Sequence, residues 1–204
     1  MNIQAFRINW RTCDLWGFLA VIVMANLTLL FGKVCSSLIF LPAPAFSGEW
    51  WRWLTFPFVH VSWYHLLMDA GAFLFLYHSL QETSQCKRLL LVATCAAGSL
   101  GAALLTSSLS GGLCGLSGIA HGLMAIFALE FMRSENKSVR HTGIICFWIV
   151  VLKSIMEALS GHVLFEALHF GQVASPVAVS HAGGVLGGLF SMTLFDALAR
   201  LVNP

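Results

Sequence analysis

Apolar residues fall along this chain in six blocks, roughly 13 to 32, 58 to 80, 89 to 109, 115 to 132, 142 to 160 and 176 to 199. Each is close to the about 20 residues that a helix needs to cross the hydrocarbon of a bilayer. Short polar connections separate them: QETSQCKR at 81 to 88, an SGGL turn, RSENKSVRH at 133 to 141, and a longer stretch near 161 to 175. No soluble domain, linker or internal repeat interrupts the pattern. It predicts one all-α membrane domain over residues 1–204, a bundle of six transmembrane helices.

Composition agrees with the pattern. The 204 residues are 58% hydrophobic and only 10% charged, with a mean hydropathy of +0.82. Soluble domains carry about a quarter charged residues, so this chain has too little polar surface to meet water on all sides. The first block runs on from Leu15 to Phe31 without a small-residue cleavage motif and a polar sequel, which predicts an anchored helix rather than a cleaved signal peptide. The six cysteines, at 13, 35, 86, 95, 114 and 146, form no CxxC pair and no metal-like spacing. They read as small hydrophobes.

The formal net charge of +2 says little, but its distribution predicts an orientation. Arg7 and Arg11 precede the first block, Lys87 and Arg88 lie between the second and third, Arg133, Lys137 and Arg140 between the fourth and fifth, and Arg200 ends the sixth. All fall on one side, with only Lys33 and Arg52 on the other, so both termini are expected in the cytoplasm. The segment LPAPAFSGEWWRWLTFPF, 41 to 58, is rich in Pro and Trp and suits a loop lying in the headgroup layer.

Ionisable and polar side chains inside apolar blocks are costly and therefore candidates for chemistry. Here they are His60, His65 and Asp69 in the second block, Ser117 and His121 in the fourth, Lys153 and Glu157 in the fifth, and His181 in the sixth. His65 is seven residues into its block, Ser117 opens the fourth, and His181 follows Pro176 by five. At about 1.5 Å per residue the three reach a similar depth, within roughly the outer third of the bilayer. A serine hydroxyl becomes a useful nucleophile when a neighbouring imidazole takes its proton. The N–H groups at a helix start can donate to the oxyanion of a tetrahedral intermediate. Gly115 and Gly118, on either side of Ser117, permit a tight turn and close approach of a substrate backbone. Small residues also line tight helix crossings, and packing alone accounts for Gly184 and Gly188 in SHAGGVLGGLF, 180 to 190. That crossing would press His181 against the start of the fourth helix.

These residues resemble the rhomboid family of intramembrane serine proteases. The resemblance rests on Gly115-Leu116-Ser117-Gly118 opening the fourth helix, His181 with Gly184 and Gly188 on the sixth, His60 and His65 on the second, and Trp51-Arg52 in the first loop. It implies a six-helix rhomboid-like bundle, a catalytic pair of Ser117 and His181, and an oxyanion hole assisted by His60 and His65. Within the family, the short chain, GLSGIAHG and SPVAVSHAGG resemble the rhombosortase branch. That implies residence in the bacterial inner membrane and transmembrane protein substrates with C-terminal Gly-Gly tails. The partners expected are thus membrane proteins and the bilayer, not nucleic acid, and no cofactor or metal is required.

Two departures bear on the chemistry. Where the family carries asparagine, this chain has Asp69, and an ionised carboxylate cannot donate to an oxyanion. Asp69 is either protonated by burial, or paired with His65 four residues earlier so that the imidazole is the donor, or a sign of lost activity. The spacing favours the pairing. His121 stands where the family has a tyrosine that packs on the catalytic histidine, which implies a stacking role, although at i+4 it could also reach Ser117. Lys153 and Glu157, also four apart, read as an ion pair that neutralises itself, or as one partner facing substrate. Two other function classes compete: a metal or haem protein ligated by His65, His121 and His181, which lacks HExxH and any cysteine cluster, and an inactive rhomboid-like binder of membrane clients.

Overall fold

A computed structural model describes residues 10–106, 109, 111–164 and 177–202, with side chains from 13 to 201. Among the described residues the architecture is helical, and the only pairing of extended backbone is a bridge between Phe40 and Leu113. Six helices carry the bundle: α1 (Trp10–Asn26), α4 (Trp63–Ser79), α5 (Gln85–Leu104), α6 (Ser117–Met132), α7 (Lys137–Ser160) and α8 (Val179–Val202). Two short helices, α2 (Pro42–Phe46) and α3 (Arg52–Thr55), lie in the connection from α1 to α4.

Among the described residues, four segments are long and apolar enough to cross a membrane: Cys13–Phe31, Gln85–Leu104, Lys137–Ser160 and Val179–Leu201. α4 and α6, with 17 and 16 residues, are shorter. At about 1.5 Å per residue α6 is roughly 24 Å long. It is also the most enclosed helix, with Ile119, Leu123, Ala125, Ile126 and Ala128 buried. A helix surrounded by others need not match the bilayer itself, and its first residue can start below the bundle's surface; Leu116, just before it, is fully buried.

The helix boundaries depart from the apolar blocks for local reasons. α4 begins at Trp63 rather than 58, because Phe56–Phe58 forms a 3-10 turn around Pro57 and Ser62, in extended backbone, caps the helix by accepting from His65 N–H at 3.1 Å. α7 begins at Lys137 rather than 142, because Asn136 Oδ1 accepts from Ser138 and Val139 N–H. α5 starts at Gln85, so the polar QCKR stretch is helical. There Arg88 is 1% exposed and paired with Asp14 of α1. Lys87 remains on the surface.

The Pro- and Trp-rich connection is braced rather than loose. Arg52 is buried, donating to the carbonyls of Ser36 and Ile39 and pairing with Glu49. Trp51 Nε1 donates to Ser37 O at 3.0 Å, while Trp50 and Trp51 keep exposed faces suited to a headgroup layer. The braced segment then holds the turn that precedes α6: Phe40 and Leu113 exchange backbone hydrogen bonds, and Gly115 N–H donates to Phe56 O at 3.1 Å.

α6 and α8 cross at very short range. A Cβ on Gly184 would collide with the carbonyl of Gly118, and one on Gly188 with that of Gly122. The α5–α8 crossing is equally close at Gly98 and Gly183. Small residues thus perform the packing role expected of them and bring the start of α8 onto the start of α6.

Candidate active site

Three helices begin beside one another here. Ser117 is the first residue of α6, His65 the third of α4 and His181 the third of α8. They line a cavity of about 340 Å³ together with Asp69, His121 and Lys153. Its walls are otherwise mainly apolar, including Ile39, Tyr64, Met68 and Val177.

His181 Nε2 lies 3.1 Å from Ser117 Oγ, and His181 Nδ1 lies 2.7 Å from Glu157 Oε2. A carboxylate only accepts, so Nδ1 carries a proton, and in the neutral ring Nε2 then presents its lone pair to the serine hydroxyl. The ring of His121 stacks on that of His181, with centroids 4.0 Å apart and planes 7° from parallel. His121 Nδ1 donates to Ser117 O at 2.7 Å, leaving Nε2 to accept from Lys153 Nζ at 2.8 Å. Lys153 Nζ also donates to Glu157 Oε1 at 2.6 Å. The hydrogen bonds form a closed circuit that leaves Ser117 through its hydroxyl and returns to its carbonyl.

On the other side of the cavity Asp69 Oδ2 accepts from Ser117 N–H at 3.0 Å and stands 3.1 Å from His65 Nε2. His60 is fully buried, its ring 4.9 Å from that of His65, and its Nε2 is 3.7 Å from the same Asp69 oxygen, beyond hydrogen-bond range. Asn26 anchors the approach to His60, accepting from His60 N–H and donating to Phe58 O. Gly115 has φ +95°, and a Cβ there would come within 2.6 Å of His65 Nε2 and 2.8 Å of Asp69 Oδ2. Glycine at 115 therefore leaves room for the His65–Asp69 pair as well as meeting the left-handed backbone.

Ser117, His65, Asp69, His121, Lys153 and His181 line one cavity, while His60, Gly115, Gly118 and Glu157 lie behind that lining, each against one of its residues, and two expectations are revised. The N–H of Ser117, expected to be free at the helix start, is occupied by Asp69. The Lys153–Glu157 pair is not self-contained, since Glu157 also holds His181. Glu157 at i+4 from Lys153 was visible in the sequence; its contact with α8, 24 residues on, was not. Asp14 and Glu130, both buried at the edges of apolar blocks, were missed as intramembrane charges, and Glu130 accepts from Gln81 N–H. Of the remaining histidines, His162 is exposed beyond the end of α7, and His169 lies outside the described residues.

The ligand atoms of His121, Glu157 and His181 lie within 4.8 Å of one another, a spacing that a metal ion could use. Lys153 Nζ already stands between His121 Nε2 and Glu157 Oε1 and supplies the positive charge there. His65, the third histidine of the metal reading, belongs instead to the Asp69 side.

No curated protein matched the chain. The family model of the Rhomboid domain matches residues 47–197, from the Trp-rich loop through most of α8, a range that includes Ser117, His181, His65, Asp69, His121, Lys153 and Glu157. With helices of membrane-crossing length on either side of that cavity, this is an integral membrane protein, and the chain belongs to the rhomboid family, whose members are intramembrane serine proteases acting on membrane proteins within the bilayer.

Proposed function

We propose that this chain is an active serine endopeptidase that cleaves membrane-anchored proteins near the outer face of the membrane through Ser117 and His181. The observation that carries the reading is the hydrogen bond of 3.1 Å between Ser117 Oγ and His181 Nε2, both lining one cavity of about 340 Å³. As Oγ attacks a carbonyl carbon, its proton passes to Nε2. When the C–N bond breaks, Nε2 returns a proton to the leaving nitrogen, and water then releases the acyl group by the same steps in reverse. Ser117 N–H and His65 Nε2 are the donors for the oxyanion, and the Asp69 carboxylate holds the His65 proton on Nε2. A substrate carbonyl must displace the Asp69 oxygen to reach them. Gly118 lets the start of α6 lie against α8. His121 supports the His181 ring from one face.

All six long helices cross the membrane in this reading, with both termini cytoplasmic. A substrate helix must unwind before one of its carbonyls is exposed, so helix-breaking residues mark the cleavage site. The rhombosortase-like strings GLSGIAHG and SPVAVSHAGG favour C-terminal Gly-Gly tails as that segment and the bacterial inner membrane as the location.

One observation favours a second reading, an inactive rhomboid-like protein that binds membrane clients: the Asp69 carboxylate sits on the donors an oxyanion needs. Labelling of detergent-purified protein with a fluorophosphonate, followed by intact mass, separates the two. Wild type is expected to gain one adduct, and Ser117→Ala and His181→Ala to gain none while unfolding near the wild-type temperature. Folded wild type that stays unlabelled would leave the inactive binder.

A further inference from the structure

We infer that Glu157 is the positioning residue of a Ser117–His181–Glu157 triad, and that Lys153 fixes which way its carboxylate serves His181. The inference rests on the protease reading and adds to a serine–histidine pair a third member from α7.

The geometry is specific at each oxygen of Glu157. Oε2 takes the His181 Nδ1 proton at 2.7 Å, while Oε1 takes Lys153 Nζ at 2.6 Å and the N–H of Leu164 at 2.9 Å. The side chain is 0% exposed, so no water competes for these bonds. A neutral histidine has one proton to place. Holding it on Nδ1 leaves Nε2 as the acceptor for Ser117, the only tautomer that can act as a general base. As the Ser117 proton arrives, the imidazolium forms against a carboxylate already aimed at it.

Lys153 gives the carboxylate a direction. With its ammonium and the Leu164 N–H both on Oε1, that corner of residue 157 must be an acceptor. A glutamine at 157 would therefore turn its carbonyl to Lys153 and Leu164 and its NH2 to His181. An NH2 facing Nδ1 makes Nδ1 an acceptor and drives the proton to Nε2, where it blocks Ser117. Lys153 also fixes His121, whose Nε2 accepts from it and whose Nδ1 holds the Ser117 carbonyl. One cation thus sets the hydrogen-bond sense on both histidines that stack above the serine.

The test is the rate of fluorophosphonate labelling of Ser117, in which an O–P bond forms, the P–F bond breaks and the hydroxyl proton passes to His181. Glu157→Gln should lower the maximal labelling rate by about 10⁴-fold, the size of loss known for a triad forced into the wrong tautomer. Its half-saturating probe concentration should stay within about twofold, since the variant changes proton acceptance and not binding. A maximal rate within about threefold of wild type would overturn the triad while leaving the Ser117–His181 reading intact. Wild type that fails to label overturns both. Nitrogen NMR of 15N-histidine wild type tests the same point without a variant. His181 is expected neutral with its proton on Nδ1, and a proton found on Nε2 overturns the inference.

Discussion

Among the described residues, a buried cluster of charge lies toward each end of α4. At one end Asp14 Oδ2 accepts from Tyr77 OH at 2.5 Å and from Arg88 Nε at 3.2 Å, while Arg88 Nη2 donates to Tyr77 O and the guanidinium lies over the Tyr77 ring. At the other end Lys153, Glu157, His121 and His181 form their circuit with Ser117. Both contain one cation against one carboxylate, and both tie separate helices together. They differ in what surrounds them. The Asp14–Arg88 cluster is sealed, with side chains 3% and 1% exposed, whereas Lys153 is 26% exposed into the cavity and its cluster includes a nucleophile. Buried charge alone therefore marks nothing; a site also needs an opening and a group whose proton can leave.

Variants should separate the two clusters cleanly. After the complete loss expected of Ser117→Ala and the large loss expected of Glu157→Gln, the next effect on labelling belongs to Gly184→Ala. The added methyl meets the Gly118 carbonyl, so α8 must shift from α6 and carry His181 away from Ser117. A displacement near 1 Å costs about 10²-fold in rate, and labelling within threefold of wild type would mean that the crossing does not position the base.

Asp69→Asn should slow labelling by about tenfold and reshape its pH dependence, because the charged partner of His65 becomes a neutral one, a difference of about 1.4 kcal/mol. An unchanged rate and profile would dismiss the His65–Asp69 pairing, and a faster variant would point to the carboxylate as an obstacle to the oxyanion. The smallest effect on labelling belongs to the sealed cluster. Arg88→Met strands Asp14 in the interior and should destabilise the protein by about 3–5 kcal/mol, read by the unfolding midpoint, yet leave labelling per folded molecule at the wild-type rate. Slower labelling at full folding would couple the two ends and break the comparison.

How much of this was legible in the chain depends on the range of the interaction. The approximate positions of the six long helices could be read because each is a local apolar run, and the pairing of His65 with Asp69 because residues four apart share a helix face. The helix starts at Trp63 and Lys137 were less legible, since capping by Ser62 and Asn136 outweighed the apolar pattern. The burial of Arg88 was not legible for a related reason: its partner, Asp14, comes from another helix.

Read residue by residue, the chain already shows that it belongs in a membrane, that a serine between small residues opens an apolar helix, and that histidines accompany it at matched positions. These follow from composition and from periodicity within one helix. Only the tertiary structure decided that Glu157 turns from Lys153 to His181, that Asp69 sits on the Ser117 N–H, and that Arg88 is structural. Each of those depends on which faces of separate helices meet. In this bundle that is set by backbone-to-backbone crossings at glycines, whose partners no spacing along the chain reveals.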